Sequence, residues 1–477
     1  MLGFTSVRFS KKRLMAIPWT VGLALAGGLA IPAPAQPTTM ATTMPSDSSV
    51  SVQPSQGESK IGSEVKSWFQ PRTEEQYFSP FEIMNPSHIR PDMPLEIGLI
   101  DDLHLNLGFQ SEGRLQVLQQ EHVFIKGVNK PGLNPGFQTP FANLSLLASI
   151  PDKLDVYFDL YIASRPHPNQ MYAHEGYMLF KGLPAPFDNS PAGRIFDYIN
   201  VKAGGFDIDF GDGNYNRSNA GFVQRNPLIG NPLVDPNVEE IGGEVYSIKG
   251  PIYWLVGAGG GTTTEHFDYG AGASGHAKVW GYPLPDLRTS ASFYYADLSG
   301  SANANEHSNL FAGSRSGGAY SALFAGGDAP GQILPMRGER IMAVQGDVTW
   351  NHWPWEMYAN LGWTQDTNVN GPALGHPAER WLYGSIGPVY HMTPAWYLAG
   401  RYSCAIAGAV NGVATDGWAD RIQVGTGYWL SRNILAKVEY VYEQFHGFES
   451  NTGVVSGVDA SRSPNFSGVI MEISFGF

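Results

Sequence analysis

What most constrains this chain is a period of two that recurs from about residue 97 to the last residue. The final stretch, VIMEISFGF, is the clearest case. Val469, Met471, Ile473, Phe475 and Phe477 share one face; Gly468, Ile470, Glu472, Ser474 and Gly476 share the other. Side chains alternate in this way only along a strand. Earlier runs repeat the pattern. KLDVYFDLYI sets Leu154, Val156, Phe158, Leu160 and Ile162 against Asp155, Tyr157, Asp159 and Tyr161. NILAKVEYVYEQ sets Ile434, Ala436, Val438, Tyr440 and Tyr442 against Leu435, Lys437, Glu439, Val441 and Glu443. Each strand therefore has one apolar face and one wet face.

Counting such runs gives about 16 strands. They are expected near 101–110, 141–150, 153–163, 173–181, 195–208, 240–249, 252–263, 274–282, 287–298, 340–350, 355–365, 380–390, 396–406, 420–430, 434–445 and 466–477. The first of them can run on through GRLQVL. A soluble sandwich would hide the apolar faces between two sheets, but the connections argue for another solution. Short turns, at 149–153, 248–252, 283–286, 351–355, 391–395 and 430–433, alternate with long Gly-, Asn- and Ser-rich stretches. Short turns at one end and long loops at the other are the pattern of an all-β, closed antiparallel transmembrane barrel, with periplasmic turns and extracellular loops. Aromatic residues gather beside the short turns: Trp350, Trp353 and Trp355; Tyr390, Trp396 and Tyr397; Tyr428 and Trp429. Rings with a polar tip favour the headgroup level, so these are expected to form a girdle.

Composition agrees. Charged residues are 15% of the chain, with 57 glycines and 22 tyrosines, against about a quarter charged in ordinary soluble domains. The net charge of -13 argues against a nucleic-acid partner. The single cysteine rules out an intrachain disulfide framework. No stretch beyond the N-terminal region approaches the ~20 apolar residues of a spanning helix, so a membrane location has to be reached by strands.

At the N-terminus, Arg8, Lys11, Lys12 and Arg13 precede an apolar segment and then APAQ, with Ala33 and Ala35 where a signal peptidase reads. A signal peptide over 1–35 is expected. Residues 36–96 begin Ser/Thr/Pro-rich and continue with prolines and scattered aromatics; they are expected to be a disordered linker and periplasmic lead-in to a barrel over 97–477.

A closing strand that ends in Phe, after alternate apolar residues, resembles the assembly signal of Gram-negative outer-membrane proteins. Here that signal comprises Met471, Ile473, Phe475 and Phe477. More loosely, residues 97–477 are similar to the porin superfamily, with VKAGGFDIDFG like a mid-barrel strand. The resemblance implies residence in outer-membrane lipid, insertion by the barrel-assembly machinery, passive diffusion of small hydrophilic solutes and often a homotrimer.

A barrel of this size can hold an aqueous channel, and its wet faces carry the candidate pore-lining residues Asp155, Asp159, Lys278, Arg288, Arg401, Arg421, Lys437 and Glu439. Facing basic and acidic arcs would sort solutes by charge; the plainer alternative is that these charges pair and stiffen the wall. Arg401, Arg421 and Lys437, from successive late strands, are expected to attract anions. DIDFGDGNYN at 207–216 partly matches a calcium loop through Asp207, Asp209 and Asp212, but no acidic residue closes it at 218. The stretch that follows, RSNAGFVQRNPLIGNPLVDPNVEE, is unusually apolar for an exposed loop and holds Leu228, Ile229, Leu233 and Val234. These need cover, from infolding into the barrel or from a trimer contact. Cys404 shares a face with Trp396, Leu398 and Tyr402 and is expected to meet lipid. The 12 histidines form no closely spaced metal motif, so neither metal nor cofactor nor catalytic residue is expected. The competing readings are a non-conducting structural or adhesive barrel and an outer-membrane hydrolase, the latter weakened by the lack of a G-x-S-x-G element.

Overall fold

A computed structural model describes residues 103–122, 135–138, 141–163, 170–218, 222–250 except 238, 252–261, 272–298, 340–367, 379–410, 413–448 and 463–477, with scattered positions elsewhere between 66 and 335. The chain divides into two units, 1–53 and 54–477; the expected signal peptide and the first part of the linker lie outside the described residues.

The barrel has 16 strands. In chain order they are β1 (Leu103–Glu121), β2 (Phe141–Ile150), β3 (Leu154–Ala163), β4 (Gln170–Phe180), β5 (Asn200–Asp207), β6 (Glu239–Ser247), β7 (Tyr253–Gly259), β8 (Ala273–Leu284), β9 (Leu287–Asp297), β10 (Arg340–His352), β11 (Trp355–Thr367), β12 (Glu379–Thr393), β13 (Trp396–Val410), β14 (Trp418–Ser431), β15 (Ile434–His446) and β16 (Asn465–Gly476). Each pairs antiparallel with the next, and β16 pairs with β1, from Gln110↔Gly476 to Glu121↔Asn465. The sheet therefore closes on itself and leaves no free edge.

Strand β1 is the longest element because it serves two neighbours along one edge. Its later half receives β16. Its first residues receive the short strand Leu95–Ile100, in a hairpin with Leu103–Leu107. At the junction Phe109 and Phe477 exchange both backbone hydrogen bonds, each 2.8 Å. The sequence GRLQVL does continue the first strand.

Alternation decides which way each side chain points. Met471 (43% exposed) and Ile473 (53% exposed) face outward on β16, while Ile470, Glu472 and Ser474 are buried within. Outward residues continue across the ladder: Tyr402 lies opposite Ile422, Val424 opposite Tyr440, and Val438 opposite Met471. A contiguous apolar band of this kind has no place in water and marks a lipid-facing surface. The chain is thus a multi-pass β-barrel of the outer membrane.

The turns bear out the polarity of the barrel, with two differences. The connection between β4 and β5, 181–199, is long and contains a 3-10 turn at Gly193–Asp197, so short turns account for all but one of the links at that end. The girdle is also thinner than expected. Trp353, Trp355, Tyr390, Trp396 and Tyr428 are exposed beside the short turns. Tyr397 and Trp429, one residue out of phase, point inward and pack with Leu228, Val389, Ala399 and Leu435. The period of two, not nearness to a turn, fixes the facing.

Part of the N-terminal lead-in is fastened to the periplasmic end. Trp68 stacks on Phe477, with ring centroids 4.2 Å apart. Arg72 lies over the Trp429 ring at 3.8 Å, and the Arg432 N–H donates to the Gln70 carbonyl at 2.7 Å. Further along, Met84, Ser87 and Met93 are buried; Tyr177 donates to the Ser87 carbonyl and Arg288 to the Met84 carbonyl at 3.0 Å.

Candidate functional site

The barrel's interior is organised by the segment between β5 and β6. After Asp207 the chain leaves the wall. Its apolar residues Ile208, Phe210, Tyr215, Phe222, Val223, Leu228, Ile229, Leu233 and Val234 are all buried. This is the stretch whose apolar content demanded cover. Infolding supplies that cover, because its partners are inward side chains of strands on distant parts of the wall.

The first anchor is ionic. Asp212 accepts two hydrogen bonds from Arg288 of β9, both 3.0 Å, and pairs with Lys278 of β8 at 2.8 Å. Lys278 also donates to Asp209 at 2.6 Å and to the Gly211 carbonyl at 2.8 Å. Gly211 has φ 70, and the backbone N–H it turns inward donates to Ser292 at 3.0 Å; only glycine takes that conformation without cost. Burial alone would push the Asp212 carboxyl up. The Arg288 guanidinium and Lys278 ammonium outweigh it and hold the carboxyl well below the usual carboxylate range. Asp209 and Asp212 thus face protein cations.

The second anchor is made of backbone. Lys437 of β15 donates to the carbonyls of Val223, Asn226 and Leu228 at 2.8, 3.2 and 3.1 Å, and pairs with Glu472 at 2.7 Å. Glu439 accepts the N–H groups of Ile229 and Gly230 at 2.6 and 2.9 Å, and the Tyr320 hydroxyl. Arg401 of β13 donates to the Gly230 carbonyl at 2.7 Å and to Asn226 at 2.9 Å. Arg421 of β14 donates to the Asn231 carbonyl at 2.8 Å and pairs with Glu443 at 2.5 Å. From β1, Arg114 donates to the Ser218 carbonyl at 3.0 Å and to Glu472 at 2.7 Å. The loop thus runs from the β8–β9 wall to the β13–β16 wall, tied at both sides. Buried charges persist only when paired and hydrogen-bonded, and here the loop's own backbone completes the set.

All eight candidate pore-lining residues face inward, as alternation requires, and all are buried. Six of them (Lys278, Arg288, Arg401, Arg421, Lys437 and Glu439) bind the loop. The remaining two stay within the wall. Asp155 accepts from Ser149 at 2.5 Å and pairs with Lys181 at 2.9 Å. Asp159 accepts from Asn143 and Ser145, both 2.6 Å. Arg401, Arg421 and Lys437 are thus engaged with the loop's backbone, and Arg421 and Lys437 also with Glu443 and Glu472. Arg114, Glu443 and Glu472 belong to the same clamp and were not singled out from sequence; their place on the wet faces of β1, β15 and β16 was the available signal.

A second long connection also enters. Leu310, Phe311, Tyr320 and Ile333 are buried. Asn237 donates its N–H to the Leu310 carbonyl at 2.7 Å, and Ile333 to the Leu233 carbonyl at 3.0 Å. Cys404 points outward on β13, partly exposed between Tyr402 and Ile406.

No protein-family model matches the chain, and no curated protein sequence matches it. Among solved structures the chain is similar to OmpT, an outer membrane protein of Vibrio cholerae: 11% identity, TM-score 0.51, covering 80% of this chain and 100% of that one. The outer membrane channel DcaP of Acinetobacter baumannii (12% identity, TM-score 0.49, 80% of this chain and 99% of that one) and an anion-selective porin from Comamonas acidovorans (12%, 0.49, 78% and 100%) are more distant in shape. The likeness to OmpT is one of fold, a closed β-barrel.

Proposed function

We propose that the chain is an outer-membrane channel for small hydrophilic solutes whose bore is set by the infolded loop 208–237. The observation that carries this reading is the loop itself, held to opposite parts of the wall by Asp212–Arg288–Lys278 and by Lys437, Glu439, Arg401 and Arg421. A merely structural barrel can fill its interior with side chains; a segment pinned at mid-course is the device that narrows an aqueous passage. Insertion by the barrel-assembly machinery through Met471, Ile473, Phe475 and Phe477 belongs to the same proposal, as does assembly into a homotrimer.

The second reading, a non-conducting barrel, draws support from Met84, Ser87 and Met93, which place the lead-in among buried side chains. Planar-bilayer recording of the folded chain separates the two. Stepwise ohmic conductance, with uptake of small sugars by proteoliposomes, supports the channel. A heat-modifiable, strand-rich protein with no conductance establishes the structural reading. Hydrolysis of phospholipid or peptide by a non-conducting barrel would establish an enzyme instead.

A further inference from the structure

At the neck of the infolded loop three residues meet that sequence spacing keeps far apart. Asp207 is the last residue of β5 before the loop leaves the wall. Glu239 is the first of β6 where it returns, and the two are register partners. His174 lies on the neighbouring strand β4. Each offers a ligand atom, and those atoms all lie within 4.8 Å of one another.

Two further observations distinguish this group from an ordinary ion pair. His174 Nε2 lies 2.8 Å from Glu239 Oε1, so a protonated imidazole would satisfy Glu239. It would leave Asp207 unserved: that residue is 3% exposed, and its Oδ1 is enclosed with no hydrogen-bond partner among the described residues. An enclosed carboxylate oxygen without a donor is costly. Nor does the surrounding charge supply the deficit. Asp159 and Glu175 stand close by; Glu175 accepts the Asp207 N–H at 2.9 Å, and Asp159 Oδ2 lies 4.0 Å from His174 Nδ1. The facing cations have carboxylates of their own, Lys202 with Glu244 at 2.5 Å and Arg217 with Asp235 at 3.1 Å.

We propose that His174, Asp207 and Glu239 bind a first-row divalent cation of the zinc class, which clamps both ends of the infolded loop to strand β4. One imidazole nitrogen with two carboxylate oxygens is a borderline donor set, suited to such ions, whereas calcium takes six to eight oxygens. Ligand bonds of about 2.0–2.2 Å need only a small closure of the three side chains and leave a position for water. With the metal on Nε2, the unbonded Nδ1, 4.0 Å from Asp159 Oδ2, can close on that carboxylate to give the carboxylate–histidine–metal arrangement that fixes the tautomer and raises ligand basicity. Asp159 is in turn held by Asn143 and Ser145. It is a positioning residue and touches no metal. The site stands whether or not the barrel conducts.

The experiment uses the full chain without an affinity tag, folded in detergent, stripped with chelator and titrated with zinc by calorimetry. One equivalent per chain is expected. Asp207→Asn and Glu239→Gln should abolish it, and Asp159→Asn should weaken it by about 10–100-fold, with heat-modifiable migration confirming that each variant is folded. Cobalt(II) in place of zinc should show the visible bands of a nitrogen-and-carboxylate set, changed by Asp159→Asn. Should Asp207→Asn not fold, the Glu239→Gln comparison decides. A folded wild-type chain that binds no zinc, zinc binding that the ligand variants leave unchanged, or a water-only cobalt spectrum overturns the proposal.

Discussion

Replacing Asp212 by Asn tests the loop clamp at its most concentrated point. The side chain keeps its shape and loses its charge. In the native chain Asp212 is 0% exposed and serves Arg288 twice and Lys278 once, at 2.8–3.0 Å. Asn can accept one of these bonds, but its amide then faces a cation. Removing one partner of a buried ion pair costs about 3–5 kcal/mol. At 1.4 kcal/mol per factor of ten, the docked-to-undocked ratio of this anchor falls by roughly two to three and a half powers of ten. The backbone anchor at Lys437 and Glu439 is separate, so the loop should come loose at one end while the barrel stays closed. Single-channel recording should show larger and noisier currents from a protein that still migrates heat-modifiably. A folded variant with the wild-type current and noise would refute the clamp. The native carboxyl titrates below its unfolded value, so its contribution is complete above about pH 3.9 and is lost only as pH falls through the lower native value. The Asp212 anchor should therefore hold from about pH 5 upward and loosen only in stronger acid.

Two further predictions concern facing. Val424 is 57% exposed on the outer face of β14; Val424→Arg should cost about 2–4 kcal/mol near mid-bilayer, read as a lower denaturation midpoint in lipid, and an unchanged midpoint would place that face elsewhere. Cys404 should react with an apolar, lipid-soluble maleimide in intact outer membranes and resist a charged one; equal labelling by both would contradict its outward position.

The sequence announces the barrel and conceals its contents for a physical reason. A strand's facing follows from a period of two, so the outward rows of β14, β15 and β16 and the inward position of Arg421, Lys437 and Glu439 could be read directly. Their partners could not. Lys437 meets three backbone carbonyls of the loop, and carbonyls carry no residue identity. The signal that did exist was thermodynamic: Leu228, Ile229, Leu233 and Val234 could not stay in water. Tyr397 and Trp429 show the same rule from the other side, since closeness to a turn suggested lipid and one step of alternation put them inside. The group at His174, Asp207 and Glu239 escapes any motif search, because it is assembled by adjacency of β4, β5 and β6 and not by spacing along the chain.

The seam between β1 and β16 has a consequence for the order of folding. Arg114 and Glu472, which meet across it, are 358 residues apart in sequence, whereas β14 and β15 are joined by a tight turn. Closing so long a loop costs about 5 kcal/mol of chain entropy by logarithmic scaling, with no return until many ladder bonds form together. Hairpins should therefore zip first, and the seam last, in one cooperative step. Until then the nascent sheet carries two bare edges, on β1 and on β15, each able to pair with another chain. Strand β16, Asn465 to Gly476, covers both at once, so its docking turns an adhesive sheet into one without free edges.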